Sequence, residues 1–438
     1  MQTSNTNKSR KGMALFFTLP IFSWALYDFA NTIFSSNINT IFFPLYLQAK
    51  VGGDPVLDQL ASSFISYLNA IASIFLVIFS PLYGVYMDRS GKKKFLLVVF
   101  ALFSILATIF MGVFEFWQTS ATIFNLSLSF ILVIFLFVVA KFFYNSSLVF
   151  YDAMISDLGN KQEIPLISGF GVAIGYLGTL VGLSVYPFAG DEQYALAFLL
   201  SGLLFLIFSL PIFFLYKEKE KPNPAPQKST SFFKGYRDIF QTFKEMKAYK
   251  PIFTFMIAYF FFNDALQTAI AMMAVYSKIV LGFSTGQFIL LYLVSTVSSI
   301  IGSFVFGYIT KRVGAKKAVN QVAIIMIIAI VMAAITTSTG LFWVAGSLFG
   351  IALGSMWVTS RTLIVELTPV EKRGEFFGLF AFSGKVSAIV GPVIYGSITL
   401  LFAASGTLAS RFAIGSLAVM VLIGLLFHIR IKDLTVKN

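Results

Sequence analysis

The chain has 438 residues, of which 58% are hydrophobic and 12% are charged, and 52 residues are Phe. Soluble domains average roughly 45–50% apolar and about 25% charged residues, so this composition excludes the soluble class. Helices of about 20 residues would use most of the chain and leave no polar block for a soluble enzyme domain. The sequence contains no Cys, which excludes disulfides, thiolate metal sites and cysteine nucleophiles.

Twelve apolar stretches follow one another along the chain, and each is long enough to cross about 30 Å of hydrocarbon. Lipid offers no partners to backbone N–H and C=O groups, so each stretch is predicted to be a helix. The fold class is therefore an all-α polytopic membrane protein. The predicted spans are residues 16–45, 62–86, 95–117, 126–150, 166–188, 194–216, 251–278, 286–309, 318–337, 341–364, 376–402 and 409–429.

The net charge of +13 follows from the topology of the chain. If the N-terminus is cytoplasmic, 26 of the 32 Lys and Arg residues fall in cytoplasmic segments, and only Lys50, Lys278 and Arg411 fall on the other side. Cytoplasmic loops of membrane proteins carry an excess of Lys and Arg. The sequence thus predicts that both termini are cytoplasmic, and the charge requires no nucleic-acid partner.

The one long connection, residues 217–250, follows the sixth span and separates residues 1–216 from residues 251–438. It begins with mixed charges and three prolines, which favour an extended, flexible segment. Apolar residues from Phe232 to Met246 then recur at helical spacing, with Lys and Arg between them. This pattern predicts an amphipathic helix, which lies either on the anionic inner leaflet or against the helix bundle.

Two patterns occur once in each half of the chain. Residues of the loop after the second span recur unchanged 223 positions later, after the eighth span: Gly84, Arg89, Gly91, Lys93 and Lys94. Lys311 replaces the acidic Asp88 in the second copy. Related halves of this kind are expected of secondary transporters.

The second repeated pattern is Asp-x-x-[Asn/Gln]-Thr, in the first and seventh spans. Its residues are Asp28, Asn31 and Thr32, and 236 positions later Asp264, Gln267 and Thr268. Positions i, i+3 and i+4 lie on one face of a helix, about 12 residues into each span and near the bilayer midplane. The 13 further residues between the copies are expected in a longer outer loop over residues 51–61.

The run 84–93, Gly-x-x-x-Asp-Arg-x-Gly-Lys-Lys, resembles the loop signature of the major facilitator superfamily. Other stretches are similar to its vacuole-effluxer branch, the relatives of the autophagy-related vacuolar amino-acid exporter: residues 24–31, 143–145, 169–178, 360–361, 376–378 and 391–392. The resemblance implies the major facilitator fold, with 12 transmembrane helices in two six-helix halves. It also implies alternating access and the efflux or exchange of small solutes such as amino acids.

The candidate substrate or coupling residues are the two repeated clusters, Lys385, and Tyr144 with Asn145 from a stretch that carries the resemblance. A charged side chain at the bilayer centre costs ~2.5–3.5 kcal/mol, so Asp28 and Asp264 are expected to face a cavity or a partner. The alternative is a structural ion pair or a protonated, hydrogen-bonded carboxyl. Lys385 binds a substrate carboxylate, pairs with an Asp until a proton or substrate displaces it, or snorkels to the inner interface. Snorkelling suits the other buried lysine, Lys141, better.

The candidate gating residues are Gly84, Asp88, Arg89, Gly91, Lys93, Arg361 and Glu366. We expect Asp88 to face the N-terminus of a neighbouring helix, whose dipole favours an anion by ~0.3–1 kcal/mol. Arg361 and Glu366 are expected to form an inner-gate pair. The glycines from Gly171 to Gly182 predict close helix packing, and His428 is expected at the membrane interface.

The sequence contains no Walker loop, zincin motif or nucleophile elbow, so neither an enzyme nor ATP-driven transport is predicted. It favours a monomeric secondary carrier for a small zwitterion such as a neutral amino acid, coupled to protons or Na⁺, without cofactor or metal. The short loops favour a bacterial cytoplasmic membrane. Two alternatives remain: an exporter of an amphiphile, lipid or drug, favoured by the many Phe residues, and a membrane sensor or scaffold that does not transport.

Overall fold

A computed structural model describes residues 15–90, 92–117, 119, 121–123, 126–159, 164–189, 193–218, 244, 249–368 and 373–431. The helices are α1 (Leu19–Phe34), a π-helical segment (Ser35–Phe42), α2 (Phe43–Val51), α3 (Pro55–Ser90), α4 (Lys93–Phe116), α5 (Leu128–Leu158), α6 (Ile164–Leu183), α7 (Tyr186–Ala189), α8 (Tyr194–Phe214), α9 (Lys250–Leu281), α10 (Thr285–Val313), α11 (Ala315–Ile335), α12 (Thr339–Leu367), α13 (Arg373–Leu401) and α14 (Thr407–Ile429). Two short strands, β1 (Thr122–Ile123) and β2 (Leu126–Ser127), form an antiparallel hairpin.

Eleven helices in the described part of the chain are long and apolar enough to cross a membrane. The predicted first span is also helical, but the π-helical segment interrupts it between α1 and α2. Such segments are rare and frequently lie at functional sites. The prediction of an all-α polytopic membrane protein is confirmed. The predicted amphipathic helix lies mostly outside the described residues.

Two predicted boundaries were wrong. Residues 55–61, expected in an outer loop, belong to α3, because Asp54 and Pro55 form a strong helix start. The Asp54 carboxylate accepts hydrogen bonds from the backbone N–H groups of Val56 and Leu57, at 2.8 and 2.9 Å, and proline suits the first helical position. Residues 126–127, placed in the fourth span by their apolar character, form β2 instead.

The chain forms two compact units. Unit 1 comprises Met1–Ile38 and Tyr83–Ser229, and unit 2 comprises Asn39–Leu82 and Thr230–Asn438. The chain passes between the units within the π-helical segment and again within α3. The second part of the first span and the first part of the second span therefore belong to the unit that contains the C-terminal helices. The division into residues 1–216 and 251–438 is one of sequence, and it stays a prediction.

Helices pair in the same way within both units. In unit 1, α1 packs against α6 and α8, and α4 packs against α5 and α8. In unit 2, α9 packs against α13 and α14, and α11 packs against α12 and α14. Each pair in unit 2 lies six spans after its equivalent in unit 1. The repeated sequence patterns thus lie in repeated helix packing.

The ends of the helices in unit 2 are closed by local hydrogen bonds. Ser284 and Gln287 form a capping box at the start of α10, which satisfies two backbone N–H groups. Gly282 ends α9 in the left-handed conformation, with φ of 67°, which glycine adopts without steric cost. Arg411 donates to the carbonyl oxygens of Ala334 and Thr336, both at 2.8 Å. Arg411, which the charge pattern predicts on the outer side of the membrane, therefore caps the C-terminal end of α11.

Candidate functional site

In unit 1, the predicted cluster lies on α1 against α6. The amide of Asn31 donates to Asp28 Oδ1 at 3.1 Å, and the hydroxyl of Thr32 donates to the Asp28 carbonyl oxygen at 2.7 Å. A Cβ atom at Gly175 on α6 would lie 2.9 Å from Asp28 Oδ2 and 3.3 Å from Thr32 Oγ1. Asp28 itself is half-buried. The structure thus brings the three predicted polar groups together on a face of α1 that packs against Gly175 of α6.

In unit 2, the equivalent cluster lies on α9 against α13. The backbone N–H of Gly391 donates to Asp264 Oδ1 at 2.8 Å. A Cβ atom at Gly391 would lie 2.2 Å from Thr268 Oγ1 and 2.5 Å from Asp264 Oδ1, closer than any side chain allows. Asp264 and Thr268 are both fully buried, whereas Gln267 beside them is half-buried.

The two clusters share one arrangement and differ in one partner. In each, the Asp and Thr of a repeated motif face a glycine of the helix four spans later. Pro392 follows the glycine in unit 2, whereas Tyr176 follows it in unit 1. Proline has no N–H, so the carbonyl of Ala388 loses its helical partner and the helix is weakened at this point. The carboxylate of Asp264 therefore meets a helix backbone, whereas that of Asp28 is bonded by the amide of its own helix.

Two buried amides that the sequence analysis missed hold these helices together. Asn263 Nδ2 donates to the carbonyl oxygen of Gly384 and the hydroxyl of Ser387 on α13, at 2.7 and 2.8 Å. Asn37 Nδ2 donates to a carbonyl oxygen of α6 and a hydroxyl of α8, at 2.8 and 2.9 Å. A signal was present in both cases. Asn263 directly precedes Asp264, and Asn37 lies in a polar run within an apolar span.

Tyr144 and Asn145 lie on α5, in the same unit as Asp28. The Tyr144 ring is buried and stacks on Phe34 with centroids 4.6 Å apart, and Asn145 is half-buried. Trp24 joins α1 to α5, because its indole N–H donates to the Tyr151 carbonyl oxygen at 3.1 Å and the two rings stack at 4.5 Å. Both predicted residues are therefore on a helix that contacts the helix of Asp28.

The two predicted buried lysines are on different units. Lys385 is half-buried on α13, six residues before Gly391. Lys141 is half-buried on α5, and its Nζ lies 5.9 Å from the centroid of the Phe137 ring. Lys385 is thus on the helix that contacts Asp264, nearly two turns away from the point of contact.

Lys93 is the loop candidate for gating whose side chain the structure describes. Its Nζ lies 2.7 Å from Asp157 Oδ2 and donates to a carbonyl oxygen of α5 at 2.9 Å. The carboxylate of Glu218 accepts the backbone N–H groups of Lys93 and Lys94, at 2.5 and 3.1 Å. Glu218, which the sequence analysis did not single out, is therefore an anion at the N-terminus of α4.

The other gating candidates are described less completely. Gly84, Asp88 and Arg89 belong to α3, but the structure describes only their backbone, and Gly91 lies outside the described residues. Arg361 is exposed, with its guanidinium 6.0 Å from the centroid of the Trp357 ring. The carboxylate of Glu366 lies near the backbone N–H of Ala315. Over the described residues, Arg361 and Glu366 form no ion pair.

The prediction that His428 lies at the membrane interface was wrong. Its side chain is fully buried, and its Nδ1 lies 2.6 Å from Oδ1 of Asn320 on α11. Its ring meets Phe255 on α9 edge-on, with centroids 5.9 Å apart. The end of α14 packs between two helices here, so a position at the end of a span is inside the protein.

Known proteins with the same pattern identify the family. A sequence model of the Major Facilitator Superfamily matches residues 24–392. An uncharacterized MFS-type transporter of Bacillus subtilis, YxiO, is 25% identical over 417 residues and covers 92% of each chain. Autophagy-related protein 22 of Eremothecium gossypii is 23% identical and covers 86% of this chain and 85% of its own. The predicted resemblance to this branch is confirmed.

Solved structures share the fold. The nucleoside transporter NupG superposes with a TM-score of 0.67 at 15% identity, over 95% of this chain and 99% of its own. A bacterial homologue of the human lysosomal transporter Spinster superposes with a TM-score of 0.69 at 14% identity, over 95% and 97% of the two chains. The chain is an integral membrane transporter that belongs to the Major Facilitator Superfamily.

Proposed function

We propose that the chain is a secondary active transporter that moves a neutral amino acid by alternating access, coupled to protons and in the direction of efflux. The observation that supports this most is the repeated contact of a carboxyl within a membrane span with a glycine of a neighbouring helix, once in each unit. Carboxylates within membrane spans are rare, and those that occur commonly line the pathway of an ion or substrate. Asp28 suits the ammonium group of a zwitterion.

The test is transport by the purified protein in proteoliposomes. A panel of labelled amino acids is offered with and without a pH gradient, and protein-free liposomes give the background. We expect at least one neutral amino acid to accumulate above background, and a pH gradient to increase the accumulation. Gly307→Ala is a suitable active control, because a Cβ atom there would meet nothing within 4 Å.

A second candidate function is export of an amphiphile. It is favoured by an apolar pocket in unit 2, lined by residues that include Met273, Phe288, Leu291 and Phe342. Ligand pockets of proteins are mostly apolar. Extrusion of a fluorescent amphiphile from the same proteoliposomes, without transport of any amino acid, would favour this function over the first.

We further propose that the protein lies in a bacterial cytoplasmic membrane with both termini and the 217–250 connection in the cytoplasm. The split of 26 cations against three supports this orientation. Because the chain contains no Cys, a single Cys introduced as Ser229→Cys is the only thiol. We expect an impermeant thiol reagent to leave it unlabelled in intact cells and to label it after lysis.

The matched control for this topology is Lys50→Cys, at an exposed position on the opposite side. We expect the same reagent to label this variant in intact cells. Labelling of the Ser229→Cys variant from outside would reverse the proposed orientation.

A further inference from the structure

Asp264 is enclosed more completely than a transported solute would allow. Its side chain has no exposed surface. Among the described residues, its Oδ2 and the Thr268 Oγ1 both lack a hydrogen-bond partner, and its Oδ1 accepts the N–H of Gly391. An ionised carboxylate with a single neutral donor is costly in this environment, since buried charges require a partner.

The charged groups on the helices that pack against α9 do not supply that partner. The described ones are Lys50 on α2, Arg312 on α10, Arg361 and Glu366 on α12, Lys385 on α13, and Arg411 and His428 on α14. Within the described chain none of these groups, and no tyrosine of these helices, forms an ion pair or hydrogen bond with Asp264. Arg411 donates to carbonyl oxygens of α11, and His428 faces Asn320.

A proton on Oδ2 would make the carboxyl neutral, so that no buried charge is left without a counter-ion. Oδ1 continues to accept from Gly391. The carboxylate and the hydroxyl supply fewer oxygens than the roughly six that a hard metal cation takes, so the geometry favours a proton.

We propose that Asp264 and Thr268, enclosed against Gly391, form a one-proton site that is occupied in this conformation and that couples transport to the proton gradient. This inference rests on the proposed function, and it assigns different roles to the two carboxyls. The half-buried Asp28, which the amide of Asn31 stabilises as an anion, is left to bind the solute. Release of the proton requires water to reach Oδ2, and the close contact with Gly391 excludes water here.

Infrared spectroscopy of the purified protein in lipid tests the site without any transport. At neutral pH we expect a C=O stretching band of a protonated carboxylic acid. The band should disappear in Asp264→Asn and remain in Asp28→Asn. Thr268→Val, which keeps the carboxyl and the shape, should leave the band at its native frequency, because the Thr268 hydroxyl makes no hydrogen bond to the carboxyl. Thr32→Val, the matched change in the other repeat, should leave the band unchanged.

A band that is absent from the native protein, or that survives in Asp264→Asn, would overturn the proposal. Loss of the band on addition of Na⁺ at constant pH would instead indicate a sodium site and would also overturn it. Failure of the proposed function is distinguishable, because the band would then be present although no amino acid is transported. If amino acids are transported and the band is unaffected by Asp264→Asn, only the proposal of a proton site is contradicted.

Discussion

Asp28→Asn and Asp264→Asn are each expected to reduce concentrative transport to the level of protein-free liposomes, while both variants still insert in the membrane. The substitution conserves shape and removes the ability to carry a negative charge or exchange a proton. In Asp264→Asn an amide oxygen can still accept the N–H of Gly391, so the packing of α9 on α13 should persist. The measurement is amino-acid accumulation driven by a pH gradient.

Counterflow exchange at equal pH separates the two carboxyls. We expect exchange to survive in Asp264→Asn, because solute binding does not require the proton site, and to be lost in Asp28→Asn. Asp54→Asn is a suitable control, since this carboxylate caps α3 in an exposed turn and its loss should leave transport intact. Full gradient-driven transport by the double variant Asp28→Asn, Asp264→Asn would leave both residues as structural polar groups.

The helices and the repeats could be predicted from the sequence because they depend on short-range patterns. Apolar runs of membrane length must be helical in lipid, and the spacing of Asp28 to Thr32 puts its polar groups on one helix face. Both inferences need only the residues of one span. The same reasoning placed Asp264 and Thr268 together, and the structure brings them to the same contact.

The glycine that faces each carboxyl could not be predicted, because it lies on a helix more than a hundred residues away. The glycines of the fifth span indicated close packing, but not that Gly175 lies against the first motif, and nothing indicated that Gly391 lies against the second. The donor to Asp264 is a backbone N–H, which no residue type reveals. Pro392 was visible in the sequence, and its effect on the neighbouring backbone was the signal that could have been used.

Boundary errors had local causes. Apolar character alone cannot place the end of a helix, since a cap decides it. The Asp54-Pro55 pair started α3 within a segment that was assigned to a loop from repeat spacing. His428 was assigned to the interface from its position at the end of a span, but the neighbouring helices extend far enough to bury it.

A disulfide between the second and eleventh spans is expected to stop transport completely and reversibly. In unit 2, the hydroxyls of Ser63 on α3 and Thr399 on α13 lie 2.8 Å apart. Tyr67 and Ser397 form a second hydrogen bond between the same helices, at 3.1 Å. In the proposed topology this contact lies on the outer side of the membrane. Alternating access requires the two sequence halves to separate there in each cycle.

The experiment uses the double variant Ser63→Cys, Thr399→Cys, in which the two sulfur atoms replace hydroxyl oxygens already in contact. Side chains this close satisfy the short Cβ–Cβ separation of about 3.5–4.5 Å that a disulfide needs. Because the chain has no other Cys, oxidation should give this one cross-link. Transport by the oxidised protein should fall to background, and a reducing agent should restore it. Each single Cys variant should transport in both conditions.

A cross-link within one half provides the matched control. The hydroxyl of Ser104 on α4 donates to the carbonyl oxygen of Ala140 on α5 at 2.9 Å, and both helices lie within the same sequence half, residues 1–216. In alternating access each half moves largely as a rigid body. The Ser104→Cys, Ala140→Cys disulfide should therefore leave transport unchanged. If the oxidised Ser63→Cys, Thr399→Cys protein, with its cross-link verified by mass spectrometry, transports at the native rate, then α3 and α13 do not separate during turnover and this contact is not a gate.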